Sequence, residues 1–189
     1  ITQRKGPSIL IDKDEEPFKV DFEKIASLRP SFSPTGTVTA ANASTLNDGA
    51  AAIILASADA VKKYALKPLA RIVSYADAEQ DPMWFTTTPT LAAPLALKRA
   101  GLNKNDIDFY EVNEAFAVVT LAFEQVIDVV HEKVNIHGGA CSLGHPLGAS
   151  GARIVTTLTH VLQHSGGKYG LATLCNGGGG ASALIIEKV

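Results

Sequence analysis

The chain has 189 residues, of which 46% are apolar and 19% charged, and a formal net charge of −2. This is a globular composition with material for a sizeable core, in one domain or a domain plus part of another. Lys and Arg form no run of five or more and no apolar stretch reaches the length of a membrane span, which argues against nucleic-acid and membrane partners.

The two cysteines, Cys141 and Cys175, make no disulfide framework and point to a reducing compartment. The opening Ile1-Thr2-Gln3-Arg4-Lys5-Gly6 reads as the interior of a longer protein, with any targeting segment outside the chain.

Residues 1–35 are polar and broken by Pro7, Pro17, Pro30 and Pro34, so an irregular excursion is expected, with Ser8–Ile11 as a short strand candidate. Thr37 to Ser44 is β-branched and then small, and Asn47-Asp48-Gly49 signals a turn. Ala50 to Ala56 predicts a buried strand, followed by a short helix capped by Ser57 or Asp59.

A new unit begins near Ala70. Arg71–Ala76 predicts a strand, and Thr90–Ala100 a helix ended by Gly101. Asp108–Val112 is a strand. Ala115–Val126 is a helix apolar on nearly every face and so expected to lie between layers. Val134-Asn135-Ile136 is a short strand, and Ser150–His164 an amphipathic helix whose start is rich in glycine and alanine. A helical Gly costs roughly 1 kcal/mol against Ala, so this start predicts close packing there. Strands Tyr169–Cys175 and Ala181–Glu187 flank four glycines and should pair antiparallel. The alternation predicts an α/β fold with a mixed five-stranded sheet and helices on both faces.

Three segments carry candidate chemistry. Gly138-Gly139-Ala140-Cys141-Ser142-Leu143-Gly144-His145-Pro146 places a His at a loop–helix junction, where an imidazole can donate or act as a base near neutral pH. Cys175-Asn176-Gly177-Gly178-Gly179-Gly180 places a thiol before a costly glycine run that turns sharply and frees N–H donors. A thiol beside such donors is expected to have a lowered pKa. Asn113-Glu114-Ala115-Phe116 lies at a strand-to-helix junction, where Asn113 reads equally as a helix cap and Glu114 as a first-turn acid.

Three other readings have less support. A zinc site from Cys141, His145, Cys175 and His137 has poor spacing. Ser142 and Ser150 beside His145 lack the Gly-x-Ser-x-Gly of a serine hydrolase. Gly177–Gly180 lacks the Gly-Lys-Ser/Thr of a phosphate loop.

Together, Asn113–Phe116, Gly138–Ala140 through His145-Pro146 with Gly148–Arg153, Cys175 with its glycines, and Gly36–Ser44 with Leu46–Ala50 resemble the thiolase family, in its acetoacetyl-CoA branch. The resemblance runs from about Asp21 to Val189. It implies a layered αβαβα architecture of two similar halves. Residues 1–46 would be the end of the CoA-binding loop domain, 47–67 the last strand and helix of the first half, and 68–189 the second half.

The resemblance implies a reversible Claisen condensation of two acetyl-CoA to acetoacetyl-CoA and CoA. His145 would activate an acyl-accepting cysteine of the first half and also donate to a thioester oxygen. Asn113 would hold a water completing that oxyanion hole. Cys175 would be the acid/base cysteine and Gly177 an oxyanion donor. Neither cysteine of this chain stands where the family carries its nucleophile, so the chain alone is expected to be inactive.

Ser44, Ala115 and Phe116, with Phe32, would line the pantetheine path, and Phe85 would shape the acyl pocket in favour of short chains. In potassium-dependent members, backbone carbonyls at positions matching Ala40, Ala41, Ala43 and Cys141 hold the ion, and no other cofactor is required. Expected partners are acetyl-CoA, acetoacetyl-CoA, CoA, the N-terminal half of the same enzyme, and further copies in a homodimer or homotetramer. A cytoplasmic location is expected, with mitochondria as the alternative. Two other readings remain open: a longer-chain 3-ketoacyl-CoA thiolase, and a non-catalytic CoA-binding or dimerising fragment.

Overall fold

A computed structural model describes residues 1–14, 18 and 20–189; Pro17 lies outside the described residues. Helix α1 (Ala58–Lys63) starts where the Ser57 hydroxyl accepts from the Ala60 N–H. Strand β1 (Ala70–Glu79) leads through a 3-10 turn at Pro82–Thr87 into α2 (Pro89–Ala100). A proline opens α2 and Gly101, at φ +66°, closes it. Then come β2 (Phe109–Val112), α3 (Ala117–Ile127), the single turn α4 (Ala140–Leu143), α5 (Ser150–Ser165), β3 (Tyr169–Cys175) and β4 (Gly180–Lys188).

The sheet order is β1-β4-β3-β2. β2 and β3 run parallel, with Val112 opposite Thr173, and β4 is antiparallel to both β3 and β1. Strand alternation divides the core. Leu171, Cys175, Ala183 and Ile185 face a large cluster with Ala92, Ala93 and Ala96 of α2 and Phe123 of α3. Ala172 and Ile186 face Ile154, Leu158 and Leu162 of α5. The result is helices on both faces of one mixed sheet. Gly170 lets α5 press onto β3, since a Cβ there would lie 2.7 Å from Leu158 Cδ1.

The sheet has four strands where five were expected. Residues 134–136 make only a single bridge, between Val134 and Tyr110. Asn135 sits at φ +48°, outside strand geometry. Its side chain does the pairing instead: Oδ1 accepts from the Val112 N–H at 2.8 Å and Nδ2 donates to the Val112 carbonyl at 2.8 Å.

Three other expectations are corrected, and a fourth is not met within this chain. Ala50–Ala56 is not a strand, and Ile54 is 92% exposed, because no neighbouring strand of this chain pairs with it among the described residues. Ser8–Ile11 forms no strand either, its backbone contact being Ile9 N–H to the Ile1 carbonyl. Helix α3 buries Val119, Thr120 and Phe123 but leaves Leu121 and Val126 in solvent, so it is covered on one side only. A Cβ at Gly148 or Gly151 would meet open space, so the packing predicted for the start of α5 is not made within this chain.

The two faces of the helices predict different responses to truncation. Leu158→Ala, at a fully buried position, should lower the unfolding free energy by about 2–5 kcal/mol. Leu121→Ala, on the uncovered side of α3, should change it by no more than ~0.5 kcal/mol. Urea titration of each variant measures this, and a Leu121 cost as large as that of Leu158 would mean the α3 face is covered in solution.

Candidate active site

The site is built at the carboxyl ends of the two parallel strands, where α/β sheets open a crevice. β2 ends at Val112 and delivers Asn113; β3 ends in Cys175. The Asn113 N–H bonds the Thr173 carbonyl at 3.0 Å, so the two strand ends stay in register at the site. Asn113 caps no helix: the N-cap of α3 is Phe116, without a side-chain bond.

Glu114 fixes the first glycine segment. One carboxyl oxygen accepts from Asn135 Nδ2 at 2.8 Å and the other from the Cys141 N–H at 3.0 Å. Gly139 has no room for a Cβ, which would collide with the Glu114 carboxyl. This brings His145 to Asn113, with Asn113 Nδ2 3.3 Å from His145 Nε2. The opposite ring nitrogen, Nδ1, is 2.6 Å from the Ser150 hydroxyl, at the first residue of α5.

The segment 37–47 closes the same site from the other side. The Ser44 hydroxyl donates to the Ala115 carbonyl at 2.9 Å, and the Ala117 N–H bonds the Asn42 carbonyl. The His145 N–H bonds the Thr45 carbonyl at 2.9 Å and approaches Asn47 Oδ1 at 3.2 Å. Gly144 is required here: its φ is +90° and any Cβ would strike the Asn47 amide.

The glycine turn after Cys175 is tied by Asn176, whose Oδ1 accepts from the N–H groups of Gly178 and Gly180. The Gly179 N–H bonds the Asn176 carbonyl, and the Gly179 carbonyl accepts from the Gln80 N–H and the Thr88 hydroxyl. The Gly177 N–H alone of the four has no acceptor among the described residues. Such a donor is free to hold an oxygen that gains negative charge.

These groups converge on one pocket of about 500 Å³, lined by Ser44, Phe85, Ala115, Phe116, His145, Cys175 and Gly177, together with Leu46, Leu147, Leu174 and Asn176. Phe32 is not in the lining. It packs edge-on against Phe116 at 5.6 Å between ring centroids, and Phe116 packs against Phe85 at 6.3 Å. Cys141 points away, its sulfur 3.7 Å from the Asn42 carbonyl. It lies against the turn that carries Ala40, Ala41 and Ala43.

Burial sets the protonation of the site. It lowers the His145 pKa, and the positive Arg153 lowers it further, so the imidazole is neutral near pH 7. Burial pushes the Cys175 thiol up to about 11. The lowered thiol pKa expected from the sequence is therefore corrected: the Gly178, Gly179 and Gly180 N–H groups are taken by Asn176, and desolvation dominates. Glu111, behind Asn113 on β2, is pushed up to about 8 by burial, against the pull of Arg153.

Sequence reasoning missed three supports. Ser150, Glu114 and Asn47 stand inside the family-like segments, but the sequence assigns none of them a role in holding His145 or its loop. A small polar residue one helical turn past His145-Pro146 was a usable signal for Ser150. The others act across the chain and left none.

Comparison with known proteins agrees with this arrangement. Residues 66–188 match the family described as "Thiolase, C-terminal domain", and residues 1–59 match "Thiolase, N-terminal domain". The chain belongs to the thiolase family. It is 57% identical over 189 residues to a Dictyostelium discoideum protein named "Probable acetyl-CoA acetyltransferase", covering 100% of this chain and 46% of that protein. It is 55% identical to the Bos taurus "Acetyl-CoA acetyltransferase, mitochondrial", covering 100% of this chain and 44% of the relative.

Among solved structures, the acetyl-CoA acetyltransferase of Bacillus anthracis superposes with a TM-score of 0.92 at 42% identity, covering all of this chain and 48% of its own. Human mitochondrial 3-ketoacyl-CoA thiolase in complex with CoA gives 0.86 at 45% identity, covering 96% of this chain and 46% of its own. The chain thus spans about half the length of the relatives it matches. The relatives include mitochondrial proteins. Among the described residues no helix is long and apolar enough to cross a membrane.

The thiol pKa gives a test. Alkylation of Cys175 by iodoacetamide should be slow at pH 7–8 and accelerate through pH 11, because only the thiolate attacks. Peptide mass spectrometry follows the rate, and fast labelling at pH 7 would contradict the burial of the thiol.

Proposed function

We propose that this chain is the C-terminal part of an acetyl-CoA acetyltransferase. The whole enzyme condenses two acetyl-CoA to acetoacetyl-CoA and CoA, and runs the reverse thiolysis. The observation that carries this reading is the convergence of His145, Cys175 and the free Gly177 N–H on one pocket backed by Asn113. Residues 1–46 belong to the loop domain, 47–67 to the end of the first half, and 68–189 to the second half. The acyl-accepting cysteine comes from the N-terminal half, because Cys141 is turned towards backbone carbonyls and Cys175 serves as acid and base.

In thiolysis the N-terminal cysteine gives its proton to Nε2 of His145 and attacks the ketone carbon of acetoacetyl-CoA. The Gly177 N–H holds the oxyanion that forms there. The carbon–carbon bond breaks, and the thioester oxygen of the departing acetyl-CoA enolate accepts from His145 Nε2 and from a water held by Asn113. Cys175, a thiol at rest with its pKa near 11, protonates the departing α-carbon. CoA then takes the acyl group from the enzyme cysteine, its thiol proton restores Cys175, and the departing cysteine thiolate takes its proton back from His145 Nε2. Synthesis reverses every step, with Cys175 removing the α-proton.

The orphan Asn113 Oδ1, buried and without a partner among the described residues, is the atom that would anchor the water. Ser44, Ala115 and Phe116, with Phe32 behind, form the apolar path for the pantetheine arm. Two thiolases of related structure were solved with coenzyme A. Phe85 narrows the acyl end beside Phe116 and favours the two-carbon acyl group.

A longer-chain 3-ketoacyl-CoA thiolase is the second reading, favoured by the likeness to the human mitochondrial enzyme of that name. Potassium fits this chain too. The carbonyls of Ala40, Ala41 and Ala43 receive no backbone N–H among the described residues, and carbonyl oxygens suit a hard cation. Bound there, the ion would steady the turn that leads to Ser44. The assembly would be a homodimer or homotetramer, in the cytoplasm or in mitochondria.

The test is thiolysis of acetoacetyl-CoA by CoA, with this chain combined with a polypeptide matching the N-terminal half of its relatives. The pair should be active, and Cys175→Ala should lower kcat ~10²–10⁴-fold, the usual worth of a positioned acid. Undiminished activity in the variant would overturn the acid role. Higher kcat/KM on eight-carbon than on four-carbon ketoacyl-CoA would select the second reading.

A further inference from the structure

We propose that Ser150 is a positioning residue that holds His145 in its Nδ1–H form and so keeps the Nε2 lone pair turned to the pocket. The inference rests on the role given to His145 above and adds the device that prepares it.

Two observations on opposite sides of the ring lead to the same tautomer. On one side, the Ser150 hydroxyl is 2.6 Å from Nδ1 and 3.0 Å from the Pro146 carbonyl. A carbonyl only accepts, so a hydroxyl proton directed at Pro146, beside the Ala149 and Ser150 N–H groups that this carbonyl also takes, leaves the Ser150 oxygen to accept from Nδ1–H. On the other side, Asn113 Nδ2 is 3.3 Å from Nε2, and an amide nitrogen only donates, so Nε2 accepts. Turning the Asn113 amide over would leave both of its N–H donors without acceptors in a buried site, where the present orientation leaves one N–H and one oxygen.

Ser150 is fully buried, so water does not compete for Nδ1, while Nε2 faces the pocket beside Asn113. The position of Ser150 is also fixed. It is the first residue of α5, and its N–H bonds the same Pro146 carbonyl at 2.9 Å. The serine therefore accepts from Nδ1–H in both the neutral and the protonated ring. The proton that His145 gains or gives is the one on Nε2.

The tautomer is read directly by two-bond 1H–15N correlation spectra of the imidazoles in this chain, with His145→Gln used to assign the signal. Wild type should show neutral His145 protonated at Nδ1. Ser150→Ala should move a substantial fraction to Nε2–H and lower the pH at which the ring takes its second proton. Ser150→Thr, which keeps the hydroxyl, should restore the wild-type pattern.

A wild-type ring protonated at Nε2 overturns the proposal outright, whatever the variants do. So does an unchanged tautomer in a Ser150→Ala chain whose amide spectrum shows the native fold. If the alanine variant unfolds, the wild-type signal decides. None of these readouts needs turnover. Failed thiolysis with an Nδ1–H ring would therefore refute the enzymatic reading while leaving this one intact.

Discussion

The site depends on one side chain that performs no chemistry in it. Glu114 receives Asn135 on one carboxyl oxygen and the Cys141 N–H on the other, and Gly139 leaves it the space to do so. Through it the end of β2 is tied to the loop carrying His145. Each such bond is worth only about 0.5–1.5 kcal/mol net, but a buried donor left unpaired costs about 1–3 kcal/mol. Losing the carboxyl would unpair the Cys141 N–H and one N–H of Asn135 Nδ2, whose other N–H keeps the Val112 carbonyl. This tie, with the bonds of the His145 N–H to Thr45 and of Nδ1 to Ser150, accompanies the 3.3 Å approach of Asn113 to His145.

The second constraint is desolvation. Burial, with the positive Arg153 nearby, holds His145 neutral, and burial holds Cys175 as a thiol. A neutral imidazole can take a proton from a nucleophile, and a high-pKa thiol can protonate a carbanion. The glycine turn then supplies a donor that needs no side chain. The same burial that makes the thiol a poor nucleophile fits it for proton transfer.

Much of this was legible in the sequence. Helix α2 was legible from Thr90 to its end at Gly101, and β3 and β4 were legible as antiparallel neighbours around the glycines. The candidate residues were named by their motifs, and all but Phe32 and the carbonyl-bearing residues touch the pocket or, for Asn113, the ring of His145. What was not legible is tertiary. A run such as Ala50–Ala56 has strand composition but no partner here, and composition cannot supply one. Asn135 replaces backbone pairing with its own amide, which no periodicity reveals. The sign of the Cys175 shift depends on what buries it, and those residues come from distant parts of the chain.

Hydrogen–deuterium exchange on wild type and Glu114→Ala tests the central claim most directly. The account predicts faster exchange confined to residues 138–146, with β3 and β4 keeping their protection. Unchanged exchange over 138–146 would contradict it, since the tie would then hold nothing.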